Sequence, residues 1–219
     1  MKEIIYVVPK KWLAAGLALL SALLAFALVG PLAAEGSGTD QINFNLVRSA
    51  AATAAKCLPN ATADVTIQNQ NLQQPVERLT LRAHGLPPNT DFDFFVIQVP
   101  NAPFGLSWYQ GDFETDKSGA GQQTYVGRFS IETFIVAPGT APAPNVFNKP
   151  PFPDATSNPK TAPVQTYHLG LWFNSPEDAA KAGCTATVTP FNGEHNAGIQ
   201  VLSSRNFPDD HGPLRSFGQ

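Results

Sequence analysis

A chain of 219 residues with 43% apolar and 14% charged residues can bury one sizeable core. Its formal net charge of −3 leaves no basic footprint for nucleic acid or for an anionic lipid surface, so neither is expected as a partner. The two cysteines, Cys57 and Cys184, would pair in an oxidising compartment if the chain is exported, the alternative being two free buried thiols.

The N-terminus sets the expected compartment. Lys2, Lys10 and Lys11 precede an uncharged stretch from Trp12 to Pro31, and the small residues Ala33 and Ala34 follow. A positive head, an apolar middle and a small-residue exit form a secretion signal, so residues 1–34 are expected to direct export, with cleavage after Ala34. The apolar stretch is also long enough to span a bilayer, which needs about 20 residues, so membrane attachment follows if it stays uncleaved. Removing Lys2, Lys10, Lys11 and Glu3 from 14 basic and 17 acidic residues leaves 11 against 16, a mature charge of −5. Residues 35–219 are expected to form a single domain, secreted or displayed at the cell surface.

Within it, Gln41–Leu46 alternates polar and apolar residues, the period of a half-buried strand. The Ala-rich run Ser49–Lys56 has no apolar stripe and is expected to be a loop or short turn before Cys57. Ala63–Gln68 and Val76–His84 alternate as strands. Gly85-Leu86-Pro87-Pro88-Asn89-Thr90 must turn, because two prolines and a glycine cannot continue a ladder. In Asp91–Val99 the apolar phase changes between Phe94 and Phe95, which calls for a bulge or for cover on both faces. Leu106–Thr115 and Gln122–Ala137 flank the turn Asp116–Gly121 as a hairpin. Residues 138–163 carry eight prolines and are expected to wrap the surface as a long extended loop. Val164–Phe173 reads as a strand. Ser175, Pro176 and Asp178 then supply a cap, a first-turn proline and a capping box for one short helix near 175–182, ended by Gly183. Thr185–Thr189 and Gly198–Ser203 are expected to close as a hairpin around 190–197, and 206–219 to be irregular. Many short strands with one helix give an all-β chain, an immunoglobulin-like antiparallel β-sandwich, with a closed barrel as the alternative.

The run Gly85-Leu86-Pro87-Pro88-Asn89-Thr90-Asp91-Phe92, followed by Phe113-Glu114-Thr115-Asp116-Lys117-Ser118-Gly119-Ala120-Gly121, resembles a pattern of secreted bacterial β-sandwich proteins of actinobacterial type. In these a GLPPxTxY strand entry precedes an FxTDxxGxG hairpin. Asn101–Gly111 and Tyr167–Phe173 are similar to the same uncharacterised family. The resemblance implies a fold and a compartment and no activity.

Candidate chemistry is sparse. Asp112, Glu114 and Asp116 share one face of a strand, and Asp91 and Asp93 share one face of another. If the strands pair, these hard oxygen donors could take Ca²⁺, although Lys117 and Gln123 stand where an EF-hand needs its glycine and its bidentate glutamate. His84, His168 and His195 could converge on Zn²⁺ or copper, with His168 and His195 as the leading pair. No H-E-x-x-H, nucleophile elbow, Walker loop or dinucleotide fingerprint is present. Trp108 and Tyr109, and Trp172 and Phe173, are adjacent ring pairs that could stack on a ligand, although neighbours on a strand point to opposite faces. The reading is a non-enzymatic binding or structural module without a cofactor, its ligand a cell-wall carbohydrate or a surface protein. The alternative is a metal-dependent extracytoplasmic enzyme built on His168 and His195.

Overall fold

A computed structural model describes residues 40–69, 76–135, 164–190 and 195–218. The chain divides into two units, Met1–Ser37 and Gly38–Gln219. The expected leader 1–34 and the proline-rich segment 138–163 lie outside the described residues.

The second unit is all-β and antiparallel. Its strands are β1 (Gln41–Arg48), β2 (Thr62–Asn69), β3 (Glu77–His84), β4 (Asp91–Ile97), β5 (Ser107–Glu114), β6 (Gly121–Gly127), β7 (Phe134–Ile135), β8 (Val164–Gln165), β9 (His168–Phe173) and β10 (Gln200–Ser203). Eight of them join in the order β5-β4-β9-β10-β1-β2-β3-β6, and β7 pairs with β8 separately. Inward side chains from both halves of the large sheet enclose one core, in the manner of a sandwich. Phe92, Phe94, Phe113, Leu169, Leu171 and Phe173 enter it from one half, and Leu46, Val65, Ile67, Leu79, Leu81 and Tyr125 from the other. The end strands β5 and β6 meet across it: Tyr125 stacks on Phe94 with centroids 4.8 Å apart, and its Oη donates to the Asp112 carbonyl at 2.9 Å. Burial raises the Tyr125 pKa, so the phenol stays a neutral donor.

Alternation explains the first three strands. On β1, Ile42, Phe44 and Leu46 face the core, while Asn43 and Asn45 face out and pair with Thr66 (2.8 Å) and Asp64 (2.7 Å) of β2. The ladder continues from β3 to β6, where Arg82 Nε donates to Gln122 at 2.7 Å. This outer face is polar, and its cross-strand neighbours satisfy one another.

The two motifs that carry the family resemblance pack together. Thr115 Oγ1 donates to the Pro87 carbonyl at 2.7 Å and accepts from Thr90 N at 2.9 Å. Leu86 N donates to the Gly119 carbonyl at 3.2 Å. Gly85 has φ +72°, and a Cβ there would stand 2.2 Å from the Asn60 carbonyl oxygen, so only glycine fits.

The expected helix is present as α2 (Pro176–Lys181), capped by Ser175 Oγ accepting from Asp178 N at 3.1 Å, and Ala179 is buried. Four expectations are corrected. The hairpin expected of Leu106–Thr115 and Gln122–Ala137 does not pair: β5 bonds to β4 and β6 to β3, so the turn Asp116–Gly121 carries the chain from one end of the large sheet to the other. The Ala-rich run is not a loop: Ala50–Ala54 forms α1, because Ser49 Oγ caps Ala52 N at 3.0 Å and Ala52 is fully buried. A single strand over Val164–Phe173 is replaced by β8 and β9, which join different sheets. Among the described residues the closing hairpin is reduced to one antiparallel bridge, Thr189 to Ala197, because β9 and β1 already occupy both edges of β10. The tail is irregular except for a short 3₁₀ turn, Pro213–Ser216, which buries Leu214.

Cys57 and Cys184 form a disulfide with Cα atoms 5.2 Å apart, bridging 127 residues. Such a bond fits an oxidising compartment. Among the described residues no helix is long and apolar enough to cross a membrane.

Candidate functional site

The outer face of β5-β4-β9-β10 differs from its partner half. Asp112, Asp93, Trp172 and Gln200 stand directly opposite one another across the four strands. The next pair along is Asp91 with Glu114. A second apolar cluster of Ile97, Trp172 and Ala197, with Phe95 and Phe104 against it, covers the other end of this face. The phase change read at Phe94 and Phe95 comes from cover on both faces of β4, which keeps an unbroken register with β9 through these residues. A bulge does lie against them, but on the neighbouring strand: β5 carries one extra residue, Gln110.

That bulge builds part of the site. Tyr109 and Asp112 are three residues apart, so a regular strand would point them to opposite faces. The extra residue brings them to one face, where Tyr109 Oη donates to Asp112 Oδ1. Burial and the neighbouring Asp112 carboxylate raise the Tyr109 pKa, keeping the phenol a donor. Gly111 permits the bulge at φ +145°, with the Tyr125 ring 3.1 Å from where a Cβ would be.

A cleft of about 250 Å³ opens here, lined by Asp91, Asp112, Glu114, Asn174 and His195. Asp93 lies between two of these walls. It opposes Asp112 on the neighbouring strand, and its Oδ2 is 3.5 Å from His195 Nε2. The Asp93 side chain is fully buried, and among the described residues Oδ1 has no hydrogen-bond partner. Burial pushes the Asp93 carboxyl above the ordinary carboxylate range; the His195 contact pulls it back and the Asp112 charge adds to the rise. Trp172 Nε1 and Gln200 Nε2 on the same row are also buried, without partners among the described residues.

The structure separates the other expected site residues. His168 is fully buried, with Nδ1 2.9 Å from Ser204 Oγ and Nε2 3.2 Å from the Asp209 carbonyl oxygen. Burial lowers its pKa and keeps the ring neutral. It opposes Ile97, whereas Asp93 beside His195 opposes Trp172. These rows are four residues apart along β4, about 13 Å of strand, so His168 and His195 do not converge. His84 ends β3 opposite Thr62, in the other half of the sheet. Among the described residues no three His, Cys, Asp or Glu side chains are placed to hold a metal ion together. Four of the five expected carboxylates, Asp91, Asp93, Asp112 and Glu114, do share the face. Asp116 instead holds the turn between β5 and β6, its Oδ1 accepting from Ser118 Oγ at 2.6 Å, from Ser118 N at 2.8 Å and from Ala120 N at 3.2 Å. These bonds lower its pKa.

The ring pairs divide in an unexpected way. Trp108 and Tyr109 are both exposed, at 63% and 36%, because β5 ends the sheet. Trp172 and Phe173 are both buried, because β9 is central and covered on both faces, which removes them from any surface platform. Trp172 packs edge-on to Phe104 (4.9 Å) and Phe95 (5.2 Å), and Phe173 lies 5.1 Å from Phe92.

Asn174 had no signal in the sequence. The Asp93 contact with His195 joins residues 102 positions apart, and no spacing rule reaches that far. The chain matches no family model and no curated protein.

Proposed function

We propose that this chain is exported and acts as a non-enzymatic binding module in the extracytoplasmic space, with the cleft beside β5 as its ligand site. The carrying observation is the cleft itself, in which three carboxylates, an amide and an imidazole line one recess beside the exposed Tyr109 ring. Carboxylates and amides bind hydroxyl groups in pairs, and a ring face covers the apolar side of a sugar. That combination favours carbohydrate over a protein partner. The bridge between Cys57 and Cys184 and the apolar leader support export.

A cell-wall polysaccharide pull-down with the purified protein tests the reading. Wild type is expected to be retained, and Asp112→Asn and Tyr109→Ala to weaken retention about tenfold or more, the change that a loss of 1.4 kcal/mol produces. Failure of any polysaccharide to retain the wild-type protein, or equal retention of the variants, would count against it. For the compartment, a reporter fused behind residue 60 is expected outside the cytosol.

A further inference from the structure

We propose that residues 205–212 form a strap against the His168 ring, held shut by the neutral imidazole and released by acid while the rest of the fold stays closed. The inference is independent of the binding-module reading.

The ring is the catch. His168 begins β9 and is fully buried. Both of its nitrogens bond to the segment that follows β10: Nδ1 lies 2.9 Å from Ser204 Oγ, and Nε2 lies 3.2 Å from the Asp209 carbonyl oxygen. The strap comes closest at Gly212, where a Cβ would stand 2.8 Å from His168 Cδ2 and 2.2 Å from the Tyr167 carbonyl oxygen. A carbonyl only accepts, so Nε2 carries the proton and Nδ1 accepts from the Ser204 hydroxyl. A second proton on the ring takes that acceptor away. The Ser204 hydroxyl then has the Leu169 carbonyl at 3.5 Å, the limit of a hydrogen bond, and a charge sits in a site closed to water.

The strap is otherwise thinly held. Its residues are exposed, apart from the half-buried Phe207 and the buried Gly212. Among the described residues its other ties to the sheet are two long side-chain bonds and one ring contact. Arg205 donates to the Arg48 carbonyl at 3.4 Å, Asn206 donates to the Asn45 carbonyl at 3.3 Å, and Phe207 packs edge-on to Phe44. Beyond the strap, Leu214 and Phe217 belong to the core and anchor its far end. A segment with so few buried contacts opens at lower cost than the whole fold.

The groups around the ring set the sign. The Asp209 carboxylate favours a proton on it, whereas Ile97, opposite on β4, is apolar, and Ser204 and Tyr167 are neutral. Arg205, Asp210 and His211 of the strap and Arg215 of the 3₁₀ turn are exposed. Burial outweighs the Asp209 carboxylate and holds the His168 pKa below its ordinary value. Lifting the strap hydrates the ring and returns it toward about 6.5. The open form therefore binds the proton more tightly than the closed one. Opening is favoured up to about tenfold for each pH unit below about 6.5, until the depressed value is reached.

Amide hydrogen exchange of the purified protein at pH 7.5, 6.5 and 5.5, with intrinsic rates divided out, tests this. The amides of Phe207 and His211, bonded within the strap, are expected to show opening constants up to about tenfold larger at pH 5.5 than at pH 7.5, while the amides of β2 and β3 stay protected. His168→Phe is expected to open the strap at every pH and to remove the pH dependence. His211→Gln changes only the exposed histidine of the strap and is expected to keep it. Strap amides as well protected as those of β2 and β3 at every pH would mean that the segment opens only with the whole fold, which overturns the proposal. Opening constants that do not change with pH, or that lose their pH dependence in His211→Gln, overturn it as well. If His168→Phe does not fold, exchange in the wild type and in His211→Gln decides by itself.

Discussion

The two halves of the large sheet share one core, yet their outer faces are built on opposite rules. Over β1, β2, β3 and β6 the outward residues are mostly polar, with Val126 on β6 an exposed exception, and they pair across strands, as Asn45 with Asp64 and Arg82 with Gln122 show. Over β5, β4, β9 and β10 the outward row is Asp112, Asp93, Trp172 and Gln200, and its three inner members are buried with polar atoms that have no partner among the described residues. The first arrangement stabilises the fold. Each unpartnered atom of the second costs about 1–3 kcal/mol, a cost that a strain reservoir, a functional role or a bound water or ion explains. On the reading proposed above, the first half is the scaffold and the second carries the site.

The largest way to break this contrast is to damage what both halves share. Phe92→Ala removes a fully buried ring that touches Phe113 and Phe173, and about 3–5 kcal/mol of stability is expected to go with it in urea unfolding. Cys184→Ser opens a closure of 127 residues, for which the chain-entropy model gives about 4–5 kcal/mol and measured native disulfides about 2–5. Neither change should depend on glycan.

His168 sharpens the comparison through pH. Its folded pKa is depressed by burial, so the unfolded chain takes up a proton below about 6.5 while the folded one does not. The fold therefore loses stability as pH falls from about 6.5 toward the depressed value. His168→Phe is expected to abolish this slope between pH 7.5 and 5.5 and to cost about 1–3 kcal/mol at pH 7.5, because Ser204 Oγ and the Asp209 carbonyl each lose a partner.

The smallest effect separates the two faces by sign. Asp93 has a raised folded pKa, so the fold holds its proton where the unfolded chain has released it, and stability falls as pH rises above 3.8 through the raised value. At pH 7 Asp93→Asn is expected to stabilise the protein by about 1 kcal/mol, as replacing buried charge often does, or about 2–4 °C in Tm. Asp64→Asn on the scaffold face should shift Tm by less. Destabilisation by Asp93→Asn would place Asp93 among the structural residues.

What the sequence made legible was what acts locally. Ser175, Pro176 and Asp178 announced α2, alternation announced β1 to β3, and the shared face of Asp91, Asp93, Asp112 and Glu114 followed from strand parity. What it hid depended on distant partners. α1 forms because Ala52 finds the core, and Trp172 and Phe173 are both buried because β9 is central, a matter of strand order that pattern does not set. The residue Gln110 moves Tyr109 onto the face of Asp112, and a bulge leaves no mark in alternation until its partner strand is known.

The most direct test of the scaffold and site division is an amide-resolved NMR titration of the protein with a glycan that it retains. The account predicts shifts centred on Asp91, Asp112, Glu114, Asn174 and His195, with the amides of β1 to β3 unmoved. Shifts centred on the Asn45 and Asp64 face, or spread evenly over both halves, would contradict it.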